Sequence, residues 1–231
     1  MRKLFLMCAA LLISATTALA GNDLSLKDIT SGKFAPKGIG SITALDDGET
    51  YAQVSKDGKK VVRYSFRTGK QTDVLFDVNN TIGQKIESFE DYIMSPDGTK
   101  MLIQTNSHKI YRRSFTADFY IYTIASRKLE KLSDNGAQQT PVWSPDGKQI
   151  AFVRDNNIFL VKLLYDNAES QVTKDGKKNE LINGIPDWVN EEEFGFNTAM
   201  TFNGDGSMIC WIKYDEKDVR EYSLQMFKGE Y

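Results

Sequence analysis

The stretch Ser144-Pro145-Asp146-Gly147-Lys148-Gln149-Ile150-Ala151-Phe152-Val153 decides the fold class, because it joins a tight turn to an apolar strand. Proline fixes φ inside the turn, and glycine accepts the positive φ that the turn requires. The apolar run that follows is typical of a buried β-strand. Three further versions of the turn occur, each before another apolar run: Asp46-Asp47-Gly48, Ser95-Pro96-Asp97-Gly98 and Asn203-Gly204-Asp205-Gly206.

The spacing of these turns indicates a repeat. Their glycines lie 50, 49 and 59 residues apart. A period of about 40–50 residues with about four strands per unit is the mark of β-propeller blades. A Greek-key sandwich is the alternative, but it would not be expected to repeat one turn at near-constant spacing. The sequence therefore predicts an all-β fold, a partial β-propeller of about four blades, each a four-stranded antiparallel sheet.

The longest interval between turns contains residues 184–196, where three carboxylates stand between apolar residues. Glu191, Glu192 and Glu193 are consecutive. Adjacent carboxylates repel each other, and partial burial increases that cost. A bound cation would offset it, and a substrate ammonium is a natural candidate. An exposed acidic turn is the alternative interpretation of the same residues.

The string Gly184-Ile185-Pro186-Asp187-Trp188-Val189-Asn190-Glu191-Glu192-Glu193-Phe194 resembles the double-glutamate motif of the dipeptidyl peptidase IV family of serine exopeptidases. In that family the second and third glutamates bind the free amino terminus of the peptide substrate. The resemblance therefore implies substrate binding by Glu192 and Glu193. Asn190 departs from the family, which usually has a tyrosine at this position.

A second segment, Tyr111-Arg112-Arg113-Ser114-Phe115-Thr116-Ala117, is similar to an aromatic-Arg-x-Ser-aromatic-Thr-Ala pattern of the same family. There the arginine helps to hold the substrate's backbone carbonyl and steadies the glutamate pair, which implies the same role for Arg112. A guanidinium offers several donors in a fixed plane. From the residues alone, the segment is equally a strand with exposed basic side chains.

Geometry adds a structural expectation for the glutamates. Neighbouring residues of a strand point to opposite faces, so Glu192 and Glu193 can converge only on a turn or a short helix. We therefore predict a helix or turn at about residues 190–195, inserted within a blade. We also predict that both carboxylates face one cavity together with Arg112.

The resemblance covers residues 22–231 and implies the amino-terminal half of an eight-bladed propeller. A short helical start followed by turn residues is predicted within residues 23–40. Four blades from a wide ring would form an open arc, and a closed four-bladed ring remains the alternative. The sequence is equally consistent with a truncated gene, a fragment and a natural partner subunit.

The chemistry of a serine peptidase is missing from the sequence. No Gly-x-Ser-x-Gly elbow occurs, and the single histidine, His108, lies within the propeller repeats. The alternating strands and helices of an α/β-hydrolase domain do not follow. We therefore expect no catalytic residue, no metal and no cofactor, and a catalytic α/β-hydrolase domain absent from this chain. Whether the chain counts as an enzyme stays open.

The amino terminus predicts export. Arg2 and Lys3 precede a short apolar run, and Ala18-Leu19-Ala20 forms an A-x-A cleavage site. We expect a signal peptide at residues 1–20 and a periplasmic or secreted mature chain of residues 21–231. Its removal takes the net charge from −2 to −4, which gives no support for nucleic-acid binding. Cys210, the remaining cysteine, is expected to be a small buried hydrophobe.

Two functions of different classes follow. In the first, the chain is the propeller portion of a dipeptidyl peptidase IV-like serine peptidase, inactive alone. It would bind peptide amino termini, and the full-length family releases X-Pro or X-Ala dipeptides. The resemblance also implies the missing C-terminal propeller and hydrolase portions as partners, and a typically homodimeric family. In the second, the chain is a non-catalytic periplasmic propeller that serves as an interaction module.

Overall fold

The computed structural model describes residues 24–36, 38 and 40–222. The predicted signal peptide lies outside these residues. The chain divides into two compact units, residues 1–40 and 41–231. In the first unit, helix α1 (Leu26–Thr30) begins at a capping box, in which the Asp28 N–H donates to Ser25 Oγ at 3.1 Å and the Ser25 N–H donates to Asp28 Oδ2 at 3.2 Å. This is the short helical start that the sequence predicts.

The first two sheets of the second unit are formed by residues 42–131. The first sheet has the order β1-β2-β3-β4, with strands β1 (Ile42–Ala44), β2 (Thr50–Val54), β3 (Lys60–Ser65) and β4 (Gln71–Asp77). The second has the order β5-β9-β8-β7-β6, with strands β5 (Ile82–Gly83), β6 (Asp91–Met94), β7 (Lys100–Lys109), β8 (Phe115–Thr123) and β9 (Lys128–Lys131). β5 pairs parallel with β9 and adds a fifth strand to an otherwise antiparallel blade.

The third sheet returns to four antiparallel strands, and the last repeat is divided. The third sheet is formed by β10 (Gln139–Trp143), β11 (Gln149–Arg154), β12 (Asn157–Lys162) and β13 (Ala168–Gln171). The last repeat consists of β14 (Leu181–Asn183), β15 (Met200–Phe202), β16 (Ile209–Trp211) and β17 (Lys213–Asp215), paired as β14-β17 and β15-β16. Helix α2 (Trp188–Phe194) lies between β14 and β15, as an insertion within the repeat. Two short 3₁₀ helices, Val78–Asn80 and Leu163–Tyr165, complete the elements.

The predicted partial propeller is confirmed, because the described fold is nearly all-β and is built from successive, mostly antiparallel sheets, two of them four-stranded, that do not close. Within the described residues, no strand pairing joins the first sheet to the strands of the last repeat. Two details differ from the prediction of about four blades, each a four-stranded antiparallel sheet. The second sheet has five strands, and the last repeat has two separate pairs.

Packing between successive sheets explains why the strands read as nearly continuous apolar runs. Side chains alternate between the two faces of a strand. On β7, Met101 packs in a cluster with the first sheet, whereas Leu102 packs in a cluster with the third. On β11, Phe152 packs towards the second sheet, whereas Val153 packs with β14 and β15. Both faces of the middle sheets are therefore buried, as neighbouring blades require.

The repeated turn owes its shape to a serine and an aspartate. Ser144 Oγ donates to Asp146 Oδ1 at 2.6 Å and accepts from the Gln149 N–H at 2.9 Å. Gly147 has φ of 66°, which a side chain would strain. A further copy, Ser55-Lys56-Asp57-Gly58, lies between β2 and β3. This copy lacks the proline and falls outside the regular spacing, so the sequence pattern does not predict it.

The expectation that Cys210 is buried is wrong. Cys210 is exposed, and Met208 and Ile212 are 65% and 51% exposed. The apolar alternation correctly predicts a strand, β16, but β16 pairs only with β15 among the described strands. Which face of a strand is covered depends on the neighbouring sheet, and alternation within one strand does not report it. No helix of the described residues is long and apolar enough to cross a membrane.

The turn aspartates predict acid sensitivity. Hydrogen bonds from a serine or threonine side chain, followed by backbone N–H groups, lower the pKa of four of them: Asp47, Asp57, Asp146 and Asp205. A lowered folded-state pKa stabilises the native state above the ordinary aspartate pKa of 3.8, and this contribution is lost as the pH falls through the lower folded values. We expect the free energy of unfolding to fall below about pH 4. Urea unfolding between about pH 3 and pH 7 measures this, and a level profile below pH 4 would contradict it.

Candidate functional site

Helix α2 begins and ends at residues whose chemistry fixes its position. Asp187 is the N-cap, and its Oδ1 accepts from the Asn190 N–H at 2.7 Å and from Asn190 Nδ2 at 2.8 Å. Gly195 ends the helix with φ of 73°. The predicted helix or turn at residues 190–195 is thus confirmed. Asn190, which departs from the resemblance, has its amide engaged in this cap.

Glu191 is the buried carboxylate of the three. It is 1% exposed, and its Oε1 accepts from the Arg113 N–H at 2.7 Å and from the Ser114 N–H at 2.9 Å. A carboxylate that accepts two backbone N–H groups makes strong, charge-assisted hydrogen bonds, and these offset the cost of its burial. Glu191 therefore ties the connection between β7 and β8 to α2. The partners of Glu191 lie 78 and 77 residues away, so no local sequence pattern predicts this role.

Glu192 contacts the predicted arginine. Arg112 Nε donates to Glu192 Oε2 at 2.8 Å, although the two residues are 80 positions apart. The Arg112 side chain is 72% exposed and that of Glu192 is 21% exposed. Such a half-exposed ion pair contributes about 0–1 kcal/mol to stability. Its consequence is geometric, because it places a guanidinium next to a carboxylate at the surface.

Glu193 follows Glu192 on the helix and is exposed. Successive helical residues are rotated by about 100°, so the side chains of Glu192 and Glu193 leave the helix in directions about 100° apart and not on opposite faces as they would on a strand. The structure thus brings Glu192 and Arg112 into contact and places Glu193 beside Glu192. That all three face one binding cavity stays a prediction.

A cavity of about 470 Å³ next to the start of α2 is lined by other residues, among them Tyr111, Ser114, Trp188, Glu191 and Glu216. Glu192, Glu193 and Arg112 are not part of its lining. Burial, followed by the negative charge of Asp187, raises the pKa of Glu216 in this cavity. His108 lies elsewhere, exposed on β7 and opposite Thr116 of β8.

Arg113 is held against the end of α2 by its backbone and its side chain. Asn197 Nδ2 donates to the Arg113 carbonyl at 3.1 Å. A Cβ placed on Gly195 would lie 3.2 Å from the Arg113 guanidinium. The connection between β7 and β8 is therefore fixed at several points, and Arg112 lies within it.

A side chain at position 195 should lower the stability of the protein, because Gly195 has a positive φ and an added Cβ would meet Arg113. Gly195→Ala should destabilise the protein by about 1–3 kcal/mol, because alanine at positive φ is strained and its Cβ would also press on Arg113. Gly204→Ala is the matched control, since a Cβ there meets nothing within 4 Å. Urea unfolding of both variants measures the difference. Equal stability of the two variants would contradict this account of the helix end.

Comparisons with known proteins identify relatives of this chain. The model of the dipeptidyl peptidase IV (DPP IV) N-terminal region matches residues 95–231. A probable dipeptidyl-aminopeptidase B of Emericella nidulans is 36% identical over 220 residues, which are 90% of this chain and 24% of that protein. The prolyl endopeptidase FAP of Homo sapiens is 30% identical over 209 residues, 90% of this chain and 26% of that protein.

A solved structure shows the same relationship. The crystal structure of Porphyromonas gingivalis dipeptidyl peptidase 4 superimposes with a TM-score of 0.84 at 36% identity, and the match covers 91% of this chain and 30% of that one. The chain spans about a quarter of the length of the curated relatives that it matches.

Proposed function

Because this chain belongs to the dipeptidyl peptidase IV family, whose N-terminal region it matches, we propose that it carries the part of a peptidase that recognises the substrate's free amino terminus. The observation that supports this proposal is the contact of Arg112 with Glu192, beside Glu193 on one short helix. Arg112 and Glu192 lie 80 positions apart in sequence and pair at the surface, and Glu193 is the next residue of the same helix.

The chemistry of these groups suits a peptide amino terminus. An ammonium has three donors and would take a carboxylate oxygen from each of Glu192 and Glu193. Glu192 is 21% exposed, and reduced exposure to water strengthens such a charge interaction. Arg112 uses Nε for Glu192, which leaves the other guanidinium N–H groups for a substrate carbonyl.

The anchoring of an amino terminus is proposed from this arrangement, and the preferred second residue is proposed from the family alone. We propose that the site anchors the first residue of a peptide, so that the next peptide bonds are placed at a fixed distance from the amino terminus. Peptides with proline or alanine at the second position are the proposed ligands. Hydrolysis would depend on a serine, aspartate and histidine that this sequence does not present in a catalytic pattern, and we propose that the chain alone is inactive. Export to the periplasm or the exterior is part of the same proposal.

Calorimetric titration of the purified chain with Ala-Pro and with N-acetyl-Ala-Pro tests the proposal. We expect the free-amine dipeptide to bind at least about tenfold more tightly, because acetylation removes the charge and two of the three donors. The affinity of Ala-Pro should also decline above about pH 8, where an α-amino group loses its proton. Equal affinity for the two ligands would overturn the proposal and favour an interaction module.

A further inference from the structure

We propose that Glu191 is a positioning residue, which holds Arg112 where it can act on Glu192 and on the substrate. This inference rests on the proposed function. Glu191 does not belong to the pair that the double-glutamate motif assigns to the substrate. Its carboxylate faces the protein, not the solvent, and is 1% exposed.

The connection between β7 and β8 is a short loop that is bound to α2 through its backbone. The Ile110 N–H donates to the Ser114 carbonyl at 2.9 Å, which closes a short loop around Arg112. The N–H groups of Arg113 and Ser114 then leave this loop towards α2, and Glu191 Oε1 accepts both. Without that acceptor, the Ser114 N–H, in a residue that is 8% exposed, would lack its partner.

The second step is the register between helix and loop. Glu191 and Glu192 are adjacent on α2, and their partners, Arg113 and Arg112, are adjacent on the loop. Glu191 binds the loop backbone at 2.7 Å, and Glu192 binds the neighbouring side chain at 2.8 Å. Within one turn of α2, Glu191 therefore holds the backbone of the loop, and Glu192 pairs with the Arg112 side chain that this loop carries.

Holding the loop in place reduces the conformational entropy that Arg112 must lose when it pairs with Glu192. The Arg112 side chain is 72% exposed and long, and an arginine loses rotamer freedom when it is held in one geometry. A mobile loop would increase the number of conformations from which Arg112 must be recruited. A loop fixed by Glu191 keeps the Nε of Arg112 within reach of Glu192 before a ligand arrives.

A double-mutant cycle in the purified chain tests the inference, with Ala-Pro as the ligand. We expect Glu191→Ala to raise the Kd at least about tenfold, and Glu191→Gln, which keeps the shape and an acceptor oxygen, to raise it about threefold. In an Arg112→Ala background, the same substitutions should change the Kd less than about twofold, since Glu191 acts through Arg112. Equal fold-changes in both backgrounds, or no change in the first, would overturn the inference.

A matched control separates positioning from loss of stability. Glu169→Gln removes another mostly buried carboxylate, which pairs with Arg154 at 2.6 Å in the third sheet. This variant should lower the Tm and leave the Kd unchanged. If Glu169→Gln weakened Ala-Pro binding as much as Glu191→Gln at a similar Tm, the effect of Glu191 would be general destabilisation.

A measurement without ligand keeps the inference separate from the proposed function. The NMR signal of the Arg112 Nε–H reports its bond to Glu192. In Glu191→Gln, and more so in Glu191→Ala, it should shift towards its position in Glu192→Ala, which has no acceptor for this bond. An unshifted signal would overturn the inference even if the dipeptide binds. A shifted signal would support it even if the wild-type chain binds no dipeptide, which would be the failure of the proposed function alone.

Discussion

Replacing Glu192 with glutamine is expected to weaken Ala-Pro binding by about tenfold to a hundredfold. The substitution removes a negative charge from the ammonium site, and it replaces the charge-assisted hydrogen bond from Arg112 Nε to Glu192 Oε2, 2.8 Å long, with a weaker bond to a neutral amide oxygen. The shape of the side chain is kept, so α2 should fold unchanged. Titration calorimetry at neutral pH measures the difference in Kd.

The control for this prediction is Glu130→Gln, which changes the net charge equally. Glu130 lies on β9 and pairs with Lys128 at 2.8 Å, at a half-exposed position of the second sheet. Its replacement should leave the Kd within about twofold of the wild-type value. Similar Kd values for the two variants would mean that overall charge, and not a site at Glu192, attracts the ligand.

The second large effect is expected in the core. Phe152→Ala should lower the free energy of unfolding by about 3–5 kcal/mol. Phe152 is fully buried in the cluster that joins the second and third sheets, and it stacks on Phe159 with ring centroids 5.6 Å apart. Its removal would leave a cavity where the second and third sheets meet, so we expect weaker packing between these two sheets.

Phe194→Ala is the comparison for this core variant. Phe194 is 72% exposed at the end of α2, and its replacement should change stability by less than about 0.5 kcal/mol. Urea unfolding of both variants, followed by fluorescence, gives the two differences. A loss below about 1 kcal/mol for Phe152→Ala would contradict the packing of blade against blade described above.

The repeated turns allow the architecture to be predicted from the sequence. The turn at residues 144–147 carries its own hydrogen bonds, so its residues specify a local shape without help from the rest of the chain. Its recurrence then predicts repeated sheets. The fifth strand β5 could not be predicted in this way, because it is two residues long and depends on pairing with β9, far along the chain.

The candidate site could be predicted from the sequence only in part. A resemblance identified Glu192, Glu193 and Arg112, and geometry alone required a helix or turn for the glutamates. The role of Glu191 depends on the backbone N–H groups of Arg113 and Ser114, which every residue except proline possesses, so no side-chain pattern marks them. The exposure of Cys210 depends likewise on what covers β16, and the alternation of residues 208–212 does not report it.

A crystal structure of the chain with bound Ala-Pro tests the central claim most directly. The account predicts the amine nitrogen within about 3.2 Å of a carboxylate oxygen of both Glu192 and Glu193, with the first carbonyl oxygen near the Arg112 guanidinium. An amine placed away from these carboxylates, for example in the cavity lined by Trp188 and Glu216, would contradict it.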